Sequence, residues 1–105
     1  MVHFVGAGSG AKDLITVRGM NLLKNADVII YAGSLVNPEL LEYAEDSCEI
    51  YNSAYMTLEE IIDVIKTADN ENKDIVRLHT GDSSIYGAIR EQIEQLNSYD
   101  ISWDI

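Results

Sequence analysis

Two short stretches carry the residue types that a ligand site needs. Gly6-Ala7-Gly8-Ser9-Gly10-Ala11 follows the apolar run His3-Phe4-Val5, and three alternating glycines allow a bound molecule to approach the backbone closely. The stretch also fits G-x-G-x-x-G/A, the phosphate-cradling turn of dinucleotide sites. Such sites need an acid at the end of the next strand to hold the ribose hydroxyls. Here that strand ends Ile30-Tyr31-Ala32-Gly33, and Asp27 stands at its opposite end. No Gly-Lys-Ser/Thr follows, which excludes a Walker loop. A tight turn with no ligand accounts for the same glycines.

The second stretch is His79-Thr80-Gly81-Asp82-Ser83-Ser84-Ile85-Tyr86-Gly87. It lies where an apolar run gives way to a helical pattern, so free amides and a positive dipole end favour anionic or hydroxyl-bearing ligands. Asp82 can accept from an amine or hydroxyl, and Gly81 lets the backbone approach. The competing reading is a plain helix cap by Asp82 or Ser83. Other chemistry is thin. His3 and His79 stand alone, without the three or four converging ligands a metal requires. Cys48 has no partner that marks a nucleophile, and no serine lies in a G-x-S-x-G elbow. His3 reads as a strand residue with a satisfied ring, and Glu59, Glu60, Asp63 and Lys66 as a solvated helix face.

The elements that must position these stretches alternate in period. His3-Phe4-Val5 predicts a short strand, Leu14 to Asn25 a helix, and the β-branched run Asp27 to Tyr31 a buried strand. Asn37-Pro38-Glu39 is a helix start and predicts a short helix over Pro38 to Ala44; Glu49-Ile50-Tyr51 predicts a short strand. Thr57 and Glu60 form a capping box ahead of the apolar face Leu58, Ile61, Ile62, Ile65 and Ala68. Ile75 to His79 is the next strand. Ile85, Ala88, Ile89, Ile93 and Leu96 mark a last helix, and Ile101 to Ile105 alternates as a fifth strand. Strands separated by helices predict an α/β fold, an open five-stranded parallel sheet with helices on both faces. Ligands of such sheets sit beyond the carboxyl ends of the strands. Those ends carry Gly6 to Gly10, Tyr31 to Ser34, Tyr51 to Ala54 and His79 to Ser84.

Composition limits the partners. The 105 residues suit one domain, and 7 basic against 18 acidic residues give a net charge of −11. That charge argues against nucleic acid and anionic membrane. No apolar run approaches the roughly 18 residues of a membrane span, and the amino terminus has no signal-peptide pattern. A single cysteine excludes an internal disulfide. The expected location is the cytoplasm. The pattern stops on its fifth strand with no following loop, which predicts one domain of a longer protein.

The motifs together resemble a known family. Val5 to Gly10 with Asp13-Leu14-Ile15-Thr16 is similar to the opening motif of the tetrapyrrole methylases, and Thr80-Gly81-Asp82 before Ile85-Tyr86-Gly87 to their second motif. Three further runs are more specific: Ala26 to Val36, Asn52-Ser53-Ala54 through Ile62, and Arg77 to Asp82. They resemble the members acting on a corrin precursor, precorrin-4 or its cobalt form, at C11. Uroporphyrinogen-III methylases have an acid where Ala32 stands and a lysine near Asn52 and Ser53; they and the precorrin-2 enzymes remain the sibling alternative. Serine occupies positions 9 and 83, where the family usually has proline, which presets φ.

The resemblance covers the whole chain. It implies that residues 1–105 are the amino-terminal domain of two, the donor S-adenosylmethionine lying in the cleft between them, and that the protein is a homodimer. It implies that Ser9, Thr80, Gly81, Asp82 and Ile85 contact the donor, with Gly8, Gly10 and Lys12 toward the tetrapyrrole. Lys12, Arg18 and Arg77 are the cations that can meet a polycarboxylate, Lys12 by its place after the glycines. It names no catalytic base and no metal. An apolar patch around Leu35, Val36, Tyr55 and Met56 is expected to face the second domain. A non-catalytic nucleotide-binding module of flavodoxin-like shape and an NAD(P) enzyme are the readings from other classes.

Overall fold

The computed structural model describes residues 1–6, 17–31, 38–79 and 86–105. In chain order these form β1 (Val2–Gly6), α1 (Val17–Asn25), β2 (Val28–Tyr31), a 3-10 helix (Pro38–Tyr43), β3 (Glu49–Asn52), a 3-10 turn (Ser53–Tyr55), α2 (Leu58–Asn70), β4 (Ile75–His79), α3 (Tyr86–Ser98) and β5 (Trp103–Asp104). The described strands make one sheet in the order β3-β2-β4-β1-β5, with every pair parallel. The expected α/β architecture is the one observed.

The inner strands are apolar on both sides because both sides are covered. Val28, Ile29 and Ile30 of β2 and Ile75, Val76 and Leu78 of β4 are buried. One cluster joins Val2, Phe4, Val28, Ile30 and Ile75 to Ile61, Ile62 and Ile65 of α2 and Ile89 and Leu96 of α3. The other joins Val5, Ile29, Val76 and Leu78 to Leu23 of α1, with Leu41 and Tyr43 of the 3-10 helix packed against it. The chain moves outward from β1 to β2 and β3 with its crossovers on the second face. It returns to β4 and crosses to β5 with helices on the first, as uniformly right-handed crossovers demand.

Local chemistry sets the ends of the helices. Thr57 Oγ1 accepts from the Glu60 amide at 3.2 Å, and Glu60 Oε1 accepts from the Thr57 amide at 3.0 Å, the predicted capping box. Both α2 and α3 finish the same way: the Lys73 amide returns to the Ala68 carbonyl, and the Ile101 amide to that of Leu96. These are Schellman ends, and the residues in the left-handed position are Asn72 at φ 58° and Asp100 at φ 56°. Ile101 is held by the α3 cap, so the fifth strand is shorter than its alternation predicted and pairs only through Trp103 and Asp104. The helix expected over Pro38 to Ala44 is 3-10. Its rise per residue is greater, which suits a short crossover between adjacent strands. The first helix is described from Val17; the start expected at Leu14 lies outside the described residues.

The amino edge of the sheet accounts for two residues singled out above. Asp27 Oδ2 accepts from the Asp74 amide at 2.8 Å, so this carboxylate ties β2 to β4 at the edge opposite the crevice. His3 Nδ1 lies 2.9 Å from Asp104 Oδ1, and Arg18 Nη2 lies 3.0 Å from Asp104 Oδ2. The His3 ring is satisfied by a strand neighbour, as expected. Cys48 is half-buried.

The left-handed cap makes a direct prediction. Glycine removes the steric conflict that Asp100 carries at positive φ, at some entropic cost. Asp100→Gly should raise stability by about 0.5–1 kcal/mol, or roughly 2–6 °C in a thermal melt. An unchanged or lowered melting temperature would show that the side chain compensates fully for its backbone.

Candidate functional site

In this strand order β1 and β4 are neighbours, and the helices that follow them pack on opposite faces. That is a topological switch point, where the segments leaving two adjacent strands part and open a crevice. The register pairs Gly6 with His79 at the carboxyl end. A Cβ placed on Gly6 would meet the His79 ring at 3.7 Å, an ordinary contact. Gly6 therefore lies directly beside a buried imidazole. Both glycine-bearing stretches depart from this point, and the tertiary structure is what brings their exits together. Their own site residues, Gly8, Ser9, Gly10, Lys12, Thr80, Gly81, Asp82 and Ile85, lie outside the described residues, as do Ala32, Leu35 and Val36.

The neighbouring strand ends are held by a buried polar network. Arg77 is only 6% exposed. Its Nε donates to Gln92 Oε1 of α3 at 3.0 Å, and its Nη1 reaches the carbonyls of Ile30 at 3.2 Å and Leu78 at 3.3 Å. Its Nη2 donates to Ser53 Oγ at 3.1 Å, and that hydroxyl in turn donates to the Tyr31 carbonyl at 2.9 Å. Burial pulls the Arg77 pKa down to about 10, so the guanidinium still carries its charge at neutral pH. Asn52 Oδ1 accepts from the Ala54 amide at 2.9 Å and caps the turn that carries Ser53.

This corrects the reading of Arg77 as a receptor for substrate carboxylates: its donors are turned inward onto strand carbonyls, Gln92 and Ser53. Arg18 is exposed but engaged by Asp104. Lys12 lies outside the described residues. The expected apolar patch divides. Tyr55 is 86% exposed just beyond the β3 end, whereas Met56 packs against the core. The Ser53–Arg77–Gln92 network was missed as a unit. Its signal was a charged residue in the middle of the otherwise apolar run Ile75-Val76-Arg77-Leu78.

The described hollows lie away from the carboxyl ends of β1 and β4. A groove of about 710 Å³ runs between α2 and α3, lined by Thr57, Ile62, Asp63, Gln95 and Tyr99 among others. It is walled by helix faces, not by strand ends, and opens to solvent. Among the described residues, no three His, Cys, Asp or Glu side chains converge to hold a metal. No described helix is long and apolar enough to cross a membrane.

Comparison with known proteins gives a consistent result. The family model described as tetrapyrrole (corrin/porphyrin) methylases matches residues 1–105. The chain is 61% identical over 104 residues to the cobalt-precorrin-4 C(11)-methyltransferase of Methanocaldococcus jannaschii, covering 99% of this chain and 40% of that protein. It is 47% identical over 102 residues to the precorrin-4 C(11)-methyltransferase of a Sinorhizobium species, covering 97% and 40%. The solved structure of a cobalt precorrin-4 methyltransferase superposes with a TM-score of 0.92 at 41% identity, covering 99% of this chain and 44% of that one. Uroporphyrin-III C-methyltransferase of Thermus thermophilus, complexed with S-adenosylhomocysteine, gives 0.78 at 28%, covering 98% and 42%. The chain thus spans about 40% of the length of these curated relatives. With the family model matched over every residue and the same parallel sheet in the solved relatives, this chain belongs to the tetrapyrrole (corrin/porphyrin) methylases.

Proposed function

We propose that this chain is the donor-binding part of an enzyme that methylates C11 of precorrin-4, in its cobalt-bearing form. The observation that carries this reading is the 61% identity to the Methanocaldococcus jannaschii cobalt-precorrin-4 C(11)-methyltransferase. The uroporphyrinogen-III alternative has weaker support: the Bacillus subtilis enzyme of that name is 37% identical over 111 residues. Ala32, Asn52 and Ser53 also replace the acid and lysine that distinguish that subgroup. Family membership weighs against NAD(P) turnover and a purely non-catalytic module.

S-adenosylmethionine would supply an activated methyl group whose leaving group is a neutral thioether. The chain's task is then orientation and exclusion of water, with little acid–base work. The crevice suits that task. Among the described residues at the strand ends, Tyr31, Asn52 and Ser53 present hydroxyl and amide groups in place of carboxylates or cations. The Thermus thermophilus relative is complexed with S-adenosylhomocysteine, the demethylated form of that donor, which supports the same assignment. On this reading Ser9, Thr80, Gly81, Asp82 and Ile85 hold the donor, and Gly8, Gly10 and Lys12 face the tetrapyrrole. No residue of the chain is assigned as a general base. The opposite wall of the cleft belongs to a second domain, and the working form is a cytoplasmic homodimer.

The test uses a chimera in which this chain replaces the matching part of the Methanocaldococcus jannaschii relative. It should transfer a methyl group to cobalt-precorrin-4, with product identified by mass; transfer to uroporphyrinogen III instead would overturn the substrate assignment. In the same chimera, Asp82→Asn should weaken S-adenosylhomocysteine binding by about 1–3 kcal/mol, or roughly 5- to 150-fold by calorimetry. Unchanged affinity with lowered stability would reduce Asp82 to a helix cap. The glycines should separate. Gly6→Ala has room for its methyl group and should bind within about twofold of the parent. Gly8→Val should abolish donor or substrate binding while the far-UV spectrum stays folded; a Gly8→Val protein with normal turnover would leave the loop a plain turn.

A further inference from the structure

A charge buried among neutral acceptors is a poor device for stability alone. Desolvating a guanidinium is costly, and apolar replacements at buried ion sites are often neutral or stabilising. The described partners of Arg77 are a carboxamide, a hydroxyl and two backbone carbonyls; none is a carboxylate. What arginine adds over a packed methionine is direction, because one rigid plane fixes several bonds at set angles.

Those bonds converge where the sheet ends. The Ile30 carbonyl is on β2, the Leu78 carbonyl belongs to the last peptide of β4, and Ser53 is the first residue beyond β3. Ser53 closes the circuit by donating to the Tyr31 carbonyl at the end of β2. Gln92 anchors the guanidinium to α3, the helix that follows the β4 exit. Three strand ends and one helix therefore share a single planar group.

We propose that Arg77 is a positioning residue which, with Ser53, clamps the carboxyl ends of β2, β3 and β4 and so fixes the geometry from which the chain leaves β4 toward the methyl donor. The clamp stands on the hydrogen bonds alone; only the identity of the ligand rests on the functional reading above.

Ser53→Ala removes the bridge with the smallest change in volume, and Ser53→Thr keeps the hydroxyl. Arg77→Lys retains charge and stem but loses the planar fork. Amide hydrogen exchange of this chain, without ligand, reads the clamp directly. In Ser53→Ala the amides of Tyr31 and His79 should exchange at least about tenfold faster, while Val28 and Ile75 at the amino edge stay within about twofold. Ser53→Thr should restore the parent rates. Equal acceleration at both edges would mean general destabilisation, and no acceleration would mean no clamp; either overturns the proposal. S-adenosylhomocysteine affinity in the chimera should fall at least about fivefold in Ser53→Ala and in Arg77→Lys, with the Ser53→Thr protein close to the parent. Parent affinity in folded Ser53→Ala would leave the network structural. A chimera that binds no S-adenosylhomocysteine even with Ser53 and Arg77 intact would instead overturn the functional reading, while the exchange pattern would still decide the clamp.

Discussion

The parallel register of β1 against β4 is the constraint on which the carboxyl edge depends. Gly6 faces His79 because Val2 faces Ile75, and the pairing runs without interruption between them. Side chains alternate faces along a strand, so a slip of one residue would turn Arg77 and His79 toward α1 and carry Val76 and Leu78 over to the α2–α3 face, breaking both packed clusters. The burial of Ile75, Val76 and Leu78 on their respective faces prevents that slip. Once the register is set, the crossover rule sends α1 and α3 to opposite sides. The crevice between their departure points is then a geometric consequence of the strand order.

Arg77 sits within that register, level with Phe4 on one side and Ile30 on the other. Its side chain lies on the α2–α3 face, among residues that otherwise exclude water. The desolvation cost is offset in part by charge-assisted bonds to strand carbonyls, Gln92 and Ser53. Removing any one acceptor leaves a buried donor unsatisfied, which makes the network behave as a unit. Gln92 is buried as well, and its Oε1 accepts from the guanidinium.

The net charge of −11 is spread unevenly over the described residues. Glu59, Glu60 and Asp63 are exposed on α2, and Glu91 and Glu94 on α3, while Asp27 and Asp74 stand at the amino edge. The side chains described at the carboxyl ends, Tyr31, Asn52, Ser53 and His79, include no carboxylate. Exposed charges are largely screened beyond roughly 8 Å at physiological salt. An acidic outer surface is therefore compatible with a carboxyl edge of a different character.

What the sequence determined by itself was local or periodic. The capping box at Thr57 and Glu60, the β-branched runs of β2 and β4 and the apolar stripe of α2 follow from interactions within a few residues, and their alternation was enough to identify a parallel α/β sheet. The motifs in the two glycine stretches were legible as well, as was their membership of a family. The left-handed caps at Asn72 and Asp100 are local too, since the Lys73 and Ile101 amides return only five residues, to Ala68 and Leu96, but neither position carries the glycine that signals such a cap. The shortness of β5 follows from one of those caps. Other features needed the whole chain. Arg77 read as a crevice cation because its sequence neighbours cannot show that Ser53, 24 positions away, and Gln92, 15 away, meet its donors. The side-by-side exits at Gly6 and His79 likewise come from strand order. Local propensity acts over a turn of helix or a few strand residues, whereas a site at a sheet edge is assembled from contacts whose partners only the fold selects.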